Sequence, residues 1–191
     1  MKFFTADWHL GGAGTLDFDK RPFKSVERMN EVLIANANRQ AKSEDTIYMV
    51  GDFITYGDSA GYAGLKIKPT DYLKQISAKV ILLEGNHDKN NRLQPDCSEL
   101  TLNLGNYGCA TVSHFPSTNK QCFLNLRRYN TKAPHIHICG HVHSSWPHMY
   151  DQQRNILNIN VGVDVCKYNL IRFDKLIAYV DNIIKSFKPV K

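Results

Sequence analysis

Lys79-Val80-Ile81-Leu82-Leu83-Glu84-Gly85-Asn86-His87-Asp88 is a short apolar run that stops on a glycine and three chemically active side chains. A run of this length with β-branched and aliphatic residues, closed by a turn signal, reads as a buried strand. The pattern repeats towards the N-terminus. Residues 46–50 form a second such run, ending at Gly51-Asp52, and residues 2–6 form a first, ending at Asp7-Trp8-His9. Between the runs lie helical patterns. Ser25 can cap a helix over residues 25–42, with Val26, Met29, Leu33 and Ala37 on one face. Residues 70–78 have an amphipathic helical look. Two strand–helix–strand passages in succession predict parallel pairing with right-handed crossovers.

The second half is richer in β structure, with strands expected at residues 109–113, 122–126, 135–139 and 156–161. A closing helix is expected over residues 174–187, carrying Leu176, Ile177, Val180, Ile183 and Ile184 along one side. The expectation is an α/β fold, a β-sandwich flanked by helices, in one domain spanning residues 1–191.

Bulk properties narrow the chemistry. A domain of 191 residues can bury roughly 70% of its unfolded surface, so a metal site here is expected to be catalytic rather than structural. The five cysteines (Cys97, Cys109, Cys122, Cys139, Cys166) contain no Cys-x-x-Cys pair. Packing or surface roles in a reduced, cytoplasmic setting are expected for them. No apolar stretch reaches the length of a signal peptide core or a membrane span. The net charge of +6 suits an anionic partner such as a phosphate compound. The basic residues are scattered, apart from Arg127-Arg128 and a tail with Lys185, Lys188 and Lys191 that reads as solvated charge.

The informative fact is positional. Asp7 and His9, then Asp52, then Asn86, His87 and Asp88 each follow a strand; so do His114 and, through Gly140, His141 and His143. Ligands of open α/β sheets bind beyond the carboxyl ends of strands. Imidazole with carboxylate and amide oxygens suits divalent transition metals, and an aspartate can bridge two of them through its two oxygens. Each element alone is an ordinary turn or half-buried histidine; all five in this order are not coincidence.

Together, Asp7-x-His9, Gly51-Asp52, Gly85-Asn86-His87-Asp88, His114 and Gly140-His141-x-His143 resemble the signature of the calcineurin-like metallophosphoesterase superfamily. Arg21-Pro22-Phe23 and Asn160-Val161-Gly162-Val163-Asp164 are further similar to a small bacterial and phage group of predicted phosphoesterases. That group often has an additional histidine after the first motif. This chain instead reads Leu10-Gly11-Gly12-Ala13-Gly14, taken as a flexible loop. The resemblance implies a four-layer α/β/β/α sandwich. It places one metal on Asp7, His9 and His143, a second on Asn86, His114 and His141, and Asp52 between them. Two divalent ions are implied, with manganese, iron, nickel or zinc better suited than magnesium.

The reaction expected is attack of a hydroxide shared by the two cations on phosphorus, in line with the leaving oxygen, without a covalent phosphoenzyme. His87 is the candidate general acid, with Asp88 orienting it or, alternatively, capping a turn. Arg21 could pair with a substrate phosphate or form a structural salt bridge. Trp8 and Phe53 could line a substrate pocket or pack in the core. His135, His137 and His148 are given no role, and Asp164 could orient a loop or a histidine.

A phosphodiester or nucleotide-type substrate is favoured, a nucleic-acid end among the candidates. The protein phosphatases of the superfamily follow Gly-Asp with Asp-Arg-Gly and use Asn-His-Glu. Here the chain runs Phe53-Ile54-Thr55-Tyr56-Gly57 and uses Asn86-His87-Asp88. The alternatives are a phosphomonoesterase of small molecules or a non-catalytic protein-interaction scaffold on the same fold. A scaffold is expected to have lost ligands, and here all are present. Composition leaves the oligomeric state open.

Overall fold

Every strand of the first half ends where the chain must turn towards a common edge. The computed structural model describes residues 1–55, 68–88 and 93–186. In chain order these form β1 (Lys2–Thr5), α1 (Ala13–Phe18), α2 (Val26–Gln40), β2 (Thr46–Val50), α3 (Pro69–Leu73) and β3 (Lys79–Leu83). They continue with β4 (Glu99–Asn103), β5 (Cys109–Ser113), β6 (His135–Cys139), β7 (His148–Asp151), β8 (Ile156–Asn160), β9 (Ile171–Arg172) and α4 (Phe173–Ser186). Phe187 and the tail residues Lys188 and Lys191 lie outside the described residues, as do Tyr56 and Gly57.

Among the described residues the strands form two mixed sheets, ordered β3-β2-β1-β9 and β4-β5-β6-β8-β7. As the strand–helix alternation predicts, β1, β2 and β3 pair in parallel. One face of this sheet (Phe3, Ile47, Met49, Leu82) packs on Met29, Leu33 and Ala37 of α2 and Tyr72 of α3. Its other face (Phe4, Tyr48, Val50) packs on Val112, Ile136, Ile138 and Ile159 of the second sheet, and α4 adds Leu176, Val180 and Ile183 to that cluster. Ser25 caps α2 as expected, its hydroxyl accepting a hydrogen bond from the Arg28 amide. The fold is the layered α/β sandwich the strand pattern implies.

Several local expectations change. Residues 122–126 do not make a strand. Phe123–Leu126 is a 3-10 turn, because the local bonds from Asn125 N to Cys122 O and Arg127 N to Leu124 O satisfy the backbone without a neighbour. Leu124 then packs with Cys122 and Ile156 against the outer face of the second sheet. The helix expected over 70–78 stops at Leu73. The glycines after His9 lead into α1 rather than a loop, Ala13 and Gly14 being helical. The strands β4, β7 and β9 were not anticipated. All five cysteines are free thiols, and no helix among the described residues is long and apolar enough to cross a membrane.

Candidate metal centre

The ligand segments are held by continuation of the strand ladders past the strand ends. The amides of Asp7, His9 and Leu10 donate to the carbonyls of Gly51, Asp52 and Phe53, drawing the first two motifs side by side. The amide of Gly140 donates to the His114 carbonyl, which does the same for the histidine motifs of the second sheet. The cost is borne in the backbone. Asp7, His9, Asp52, His141 and His143 all have positive φ, between 48° and 72°. This conformation is disfavoured for residues with a side chain and persists where the surroundings over-determine it.

Glycines make space for the side chains, Gly85 and Gly51 most tightly. A Cβ on Gly85 would sit 2.2 Å from the Asp52 amide and carboxylate, and one on Gly51 would lie 2.5 Å from the His114 ring. Gly51 also has φ of +80°, so both space and backbone conformation require glycine there.

All seven expected ligands converge. His9 Nε2 lies 3.2 Å from His143 Nε2, and Asp7 groups with this pair. His114 Nε2 and His141 Nδ1 lie 3.0 and 3.1 Å from Asn86 Oδ1. Between the two sets, Asp52 Oδ2 is 3.6 Å from His9 Nε2 and 3.2 Å from His114 Nε2. Donor atoms bound to one cation at about 2.0–2.1 Å stand about 3.0–3.4 Å apart, so these spacings fit the edges of a coordination shell. The residues therefore suit a pair of divalent ions. Asp52 Oδ2 thus lies near both sets, while Oδ1 accepts from the His87 amide at 2.9 Å.

For His114, His143 and His9 the remaining nitrogen has an oxygen partner, which fixes the ring and leaves the other nitrogen for a metal. His114 Nδ1 donates to the Val50 carbonyl at 3.0 Å. His143 Nδ1 donates to the Asp19 carboxylate at 2.6 Å. His9 Nδ1 lies 2.6 Å from Thr55 Oγ1, and His141 Nε2 lies 3.3 Å from the Asn119 amide. Asp19, Thr55 and Asn119 carried no motif in the sequence. Asp19 closes α1, a helix hidden behind the glycines, and Thr55 sits one strand alternation beyond Phe53.

Burial and charge set the protonation states. Burial pushes Asp7 up to about 6, against the pull of His114 and His143. Burial disfavours ionisation of Asp52 too, but the hydrogen bond and charge of His114, with His9, outweigh it and hold the carboxyl well below its ordinary range. Burial also opposes charge on His114, yet Asp52 and Asp7 lift it to about 9. Burial keeps His9 neutral despite Asp52, and burial with His114 holds His141 at about 4.

The calcineurin-like phosphoesterase superfamily domain matches residues 6–169.

The chain belongs to the calcineurin-like phosphoesterase superfamily.

The chain is 24% identical to the uncharacterized protein MJ1445 of Methanocaldococcus jannaschii, over 94% of this chain and 90% of that protein. The protein of unknown function AQ665 from Aquifex aeolicus has the same fold. It aligns over 96% of this chain and 99% of its own, with a TM-score of 0.63 and 21% identity.

At three places the structure decides between the readings that the sequence leaves open. Arg21 does not face a substrate. It is 4% exposed, forms a two-pronged pair with Asp164 at 2.8 and 2.7 Å, and donates to the carbonyls of Asp7 and Trp8. The Arg21 and Asp164 motifs, read separately in the sequence, are thus one buried strut beneath the ligand loop. Trp8 and Phe53 are fully buried and pack on each other in the core, ring centroids 5.6 Å apart. The Asp88 carboxylate accepts from the amides of Asp52, Phe53 and Gly85, so it clasps two ligand loops instead of orienting His87. Of the histidines given no role, His137 is buried in β6 and His148 is exposed on β7.

Proposed function

We propose that the chain is a two-metal phosphoesterase acting on phosphodiester or nucleotide-type substrates. One observation carries this: seven side chains from five separate segments present two donor sets that share the single oxygen Asp52 Oδ2. Bound there, two divalent cations would neutralise phosphate charge and lower the pKa of bound water towards neutrality.

The chain's own groups supply the rest. Asp7, His9 and His143 would hold one ion, and Asn86, His114 and His141 the other. The Asp88 clasp on Asp52, Phe53 and Gly85 keeps these two loops in register, so the phosphate meets a preorganised charge distribution. His87 is exposed at the mouth of the site, its ring 4.9 Å from that of His9 at a steep angle, while its own amide holds Asp52 Oδ1. From there it is placed to hand a proton to a departing alkoxide. His87→Ala is then expected to slow alkyl esters much more than activated aryl esters, and equal losses on both would remove the general-acid role.

The test of the activity is turnover of paired aryl phosphate monoesters and diesters with manganese, nickel, zinc or magnesium. Metal-dependent turnover with diesters preferred supports the reading. Inactivity with every metal contradicts it and favours a binding scaffold.

A further inference from the structure

The histidines of the metal centre do not all treat their second nitrogen alike. In a metal-ligating histidine the nitrogen away from the ion carries the proton and gives it to a carboxylate, a carbonyl or water. His114 and His143 follow this rule, with the Val50 carbonyl and the Asp19 carboxylate as acceptors, and the Thr55 hydroxyl can accept from His9. His141 departs from it. Its Nε2 lies 3.3 Å from Asn119 Nδ2, and an amide nitrogen donates without accepting.

The half-buried Asn119 amide is held in that orientation. Its Oδ1 accepts from the Gln121 backbone amide at 2.8 Å, so turning the side chain over would set one N–H against another. The segment that carries it is anchored as well. The Ser117 amide donates to Asn158 Oδ1, the Ser117 hydroxyl donates to Asp151 Oδ2, and the Asn119 amide donates to the Pro116 carbonyl. On the other side of the ring, His141 Nδ1 meets an acceptor, Asn86 Oδ1, at 3.1 Å. Above the ordinary imidazole range, near pH 6.5, a neutral ring carries one proton. With a donor against Nε2 and an acceptor against Nδ1, that proton belongs on Nδ1. A cation held by Asn86, His114 and His141 needs the reverse: a bare Nδ1, and the proton on Nε2 facing the Asn119 N–H.

We propose that Asn119 is a positioning residue that holds His141 in the tautomer opposed to metal binding, so that this site fills last and its occupancy follows the divalent-ion concentration. The inference rests on the two-metal reading for the ligand role of His141, and it makes one ion of the pair exchangeable by design. Asp19 supplies the contrast, since a carboxylate in the same relation to His143 favours the ring that an ion requires.

Nitrogen NMR of the histidine rings in the full, metal-free chain at about pH 8 reads the tautomer directly, the His141 signals being those lost in His141→Gln. The proton should sit on Nδ1, and in Asn119→Asp it should move to Nε2. Calorimetric titration with zinc reads the consequence, and the binding step that disappears in His141→Gln marks this site. Asn119→Asp should tighten that step by at least about tenfold. Asn119→Ala, which adds no charge, should tighten it by a smaller factor, with thermal melting checking that both variants are folded. The sign separates this role from that of a plain brace, whose removal loosens the ion. A proton on Nε2 in the metal-free parent chain, or a step left unchanged or weakened by Asn119→Ala, would overturn the inference while leaving the two-metal reading intact. A single zinc step in the parent chain would remove the two-metal reading and the filling order with it.

Discussion

The two halves of the metal centre are built differently. The set of Asp7, His9 and His143 is the more enclosed: Asp7 and His9 are buried, His143 is half-buried, and His9 and His143 are braced by Thr55 and Asp19. Beneath it lies the Arg21–Asp164 strut, holding the carbonyls of Asp7 and Trp8. The set of Asn86, His114 and His141 is the more open: His114 is buried, but Asn86 is exposed, His141 is half-buried, and a cavity begins at its edge. The contrast teaches a division of labour. Burial of Asp7 and His9 favours tight, lasting occupancy, whereas the open side leaves room for substrate.

The most severe break is at the shared residue. Asp52→Asn removes the carboxylate that both sets use, and turnover should fall by at least about a hundredfold, with both metal-binding steps weakened in a titration. Weakening of one step alone would mean that Asp52 serves a single ion.

Arg21→Ala attacks the enclosed side from below. It leaves Asp164 buried without its partner, and loss of one member of a buried pair costs about 3–5 kcal/mol. Chemical denaturation should register that loss. An unchanged stability with a raised KM would restore the phosphate-binding role that the structure takes away from Arg21.

Asp19→Asn and Thr55→Val touch only the braces. Each should weaken the tighter metal-binding step by about 10–100-fold and leave the weaker step in place. Loss of the weaker step instead would reverse the assignment of tight and open sites.

The pH dependence separates the halves more gently. His114 of the open set holds a proton up to about pH 9 in the metal-free chain, and Asp7 of the enclosed set up to about pH 6. A cation must displace these protons, so affinity rises with pH until each group is deprotonated. Affinity at the open site should therefore climb until about pH 9, roughly tenfold per unit, while the Asp7 contribution at the enclosed site levels off above about pH 6. Parallel pH profiles for both steps would contradict this split.

The sequence made the open and enclosed sets legible to different depths. All seven donors stood at the ends of apolar runs, and the parallel first sheet followed from its strand–helix alternation. Their supports were hidden, because a brace is chosen by tertiary proximity and leaves no spacing to read. Asp19 lies ten residues after His9, behind glycines that suggested a loop but begin a helix. Asp88 sat within the strongest motif, yet its three amide contacts come from two chain segments. Arg21 and Asp164 were both visible as motifs, but their pairing spans 143 residues. In the second sheet, Glu99–Asn103 alternates Leu100 and Leu102 with polar residues, a period-two signal that was available. Cys122–Leu126, in contrast, is a short apolar run in which strand and turn cannot be told apart by pattern.

The central claim is that one oxygen of Asp52 joins two cations. Anomalous diffraction from crystals grown with manganese measures it directly. The account predicts two peaks about 3.5–4 Å apart, with Asp52 Oδ2 between them, Asp7, His9 and His143 around one, and Asn86, His114 and His141 around the other. A single peak, or two that do not share Asp52, would contradict it.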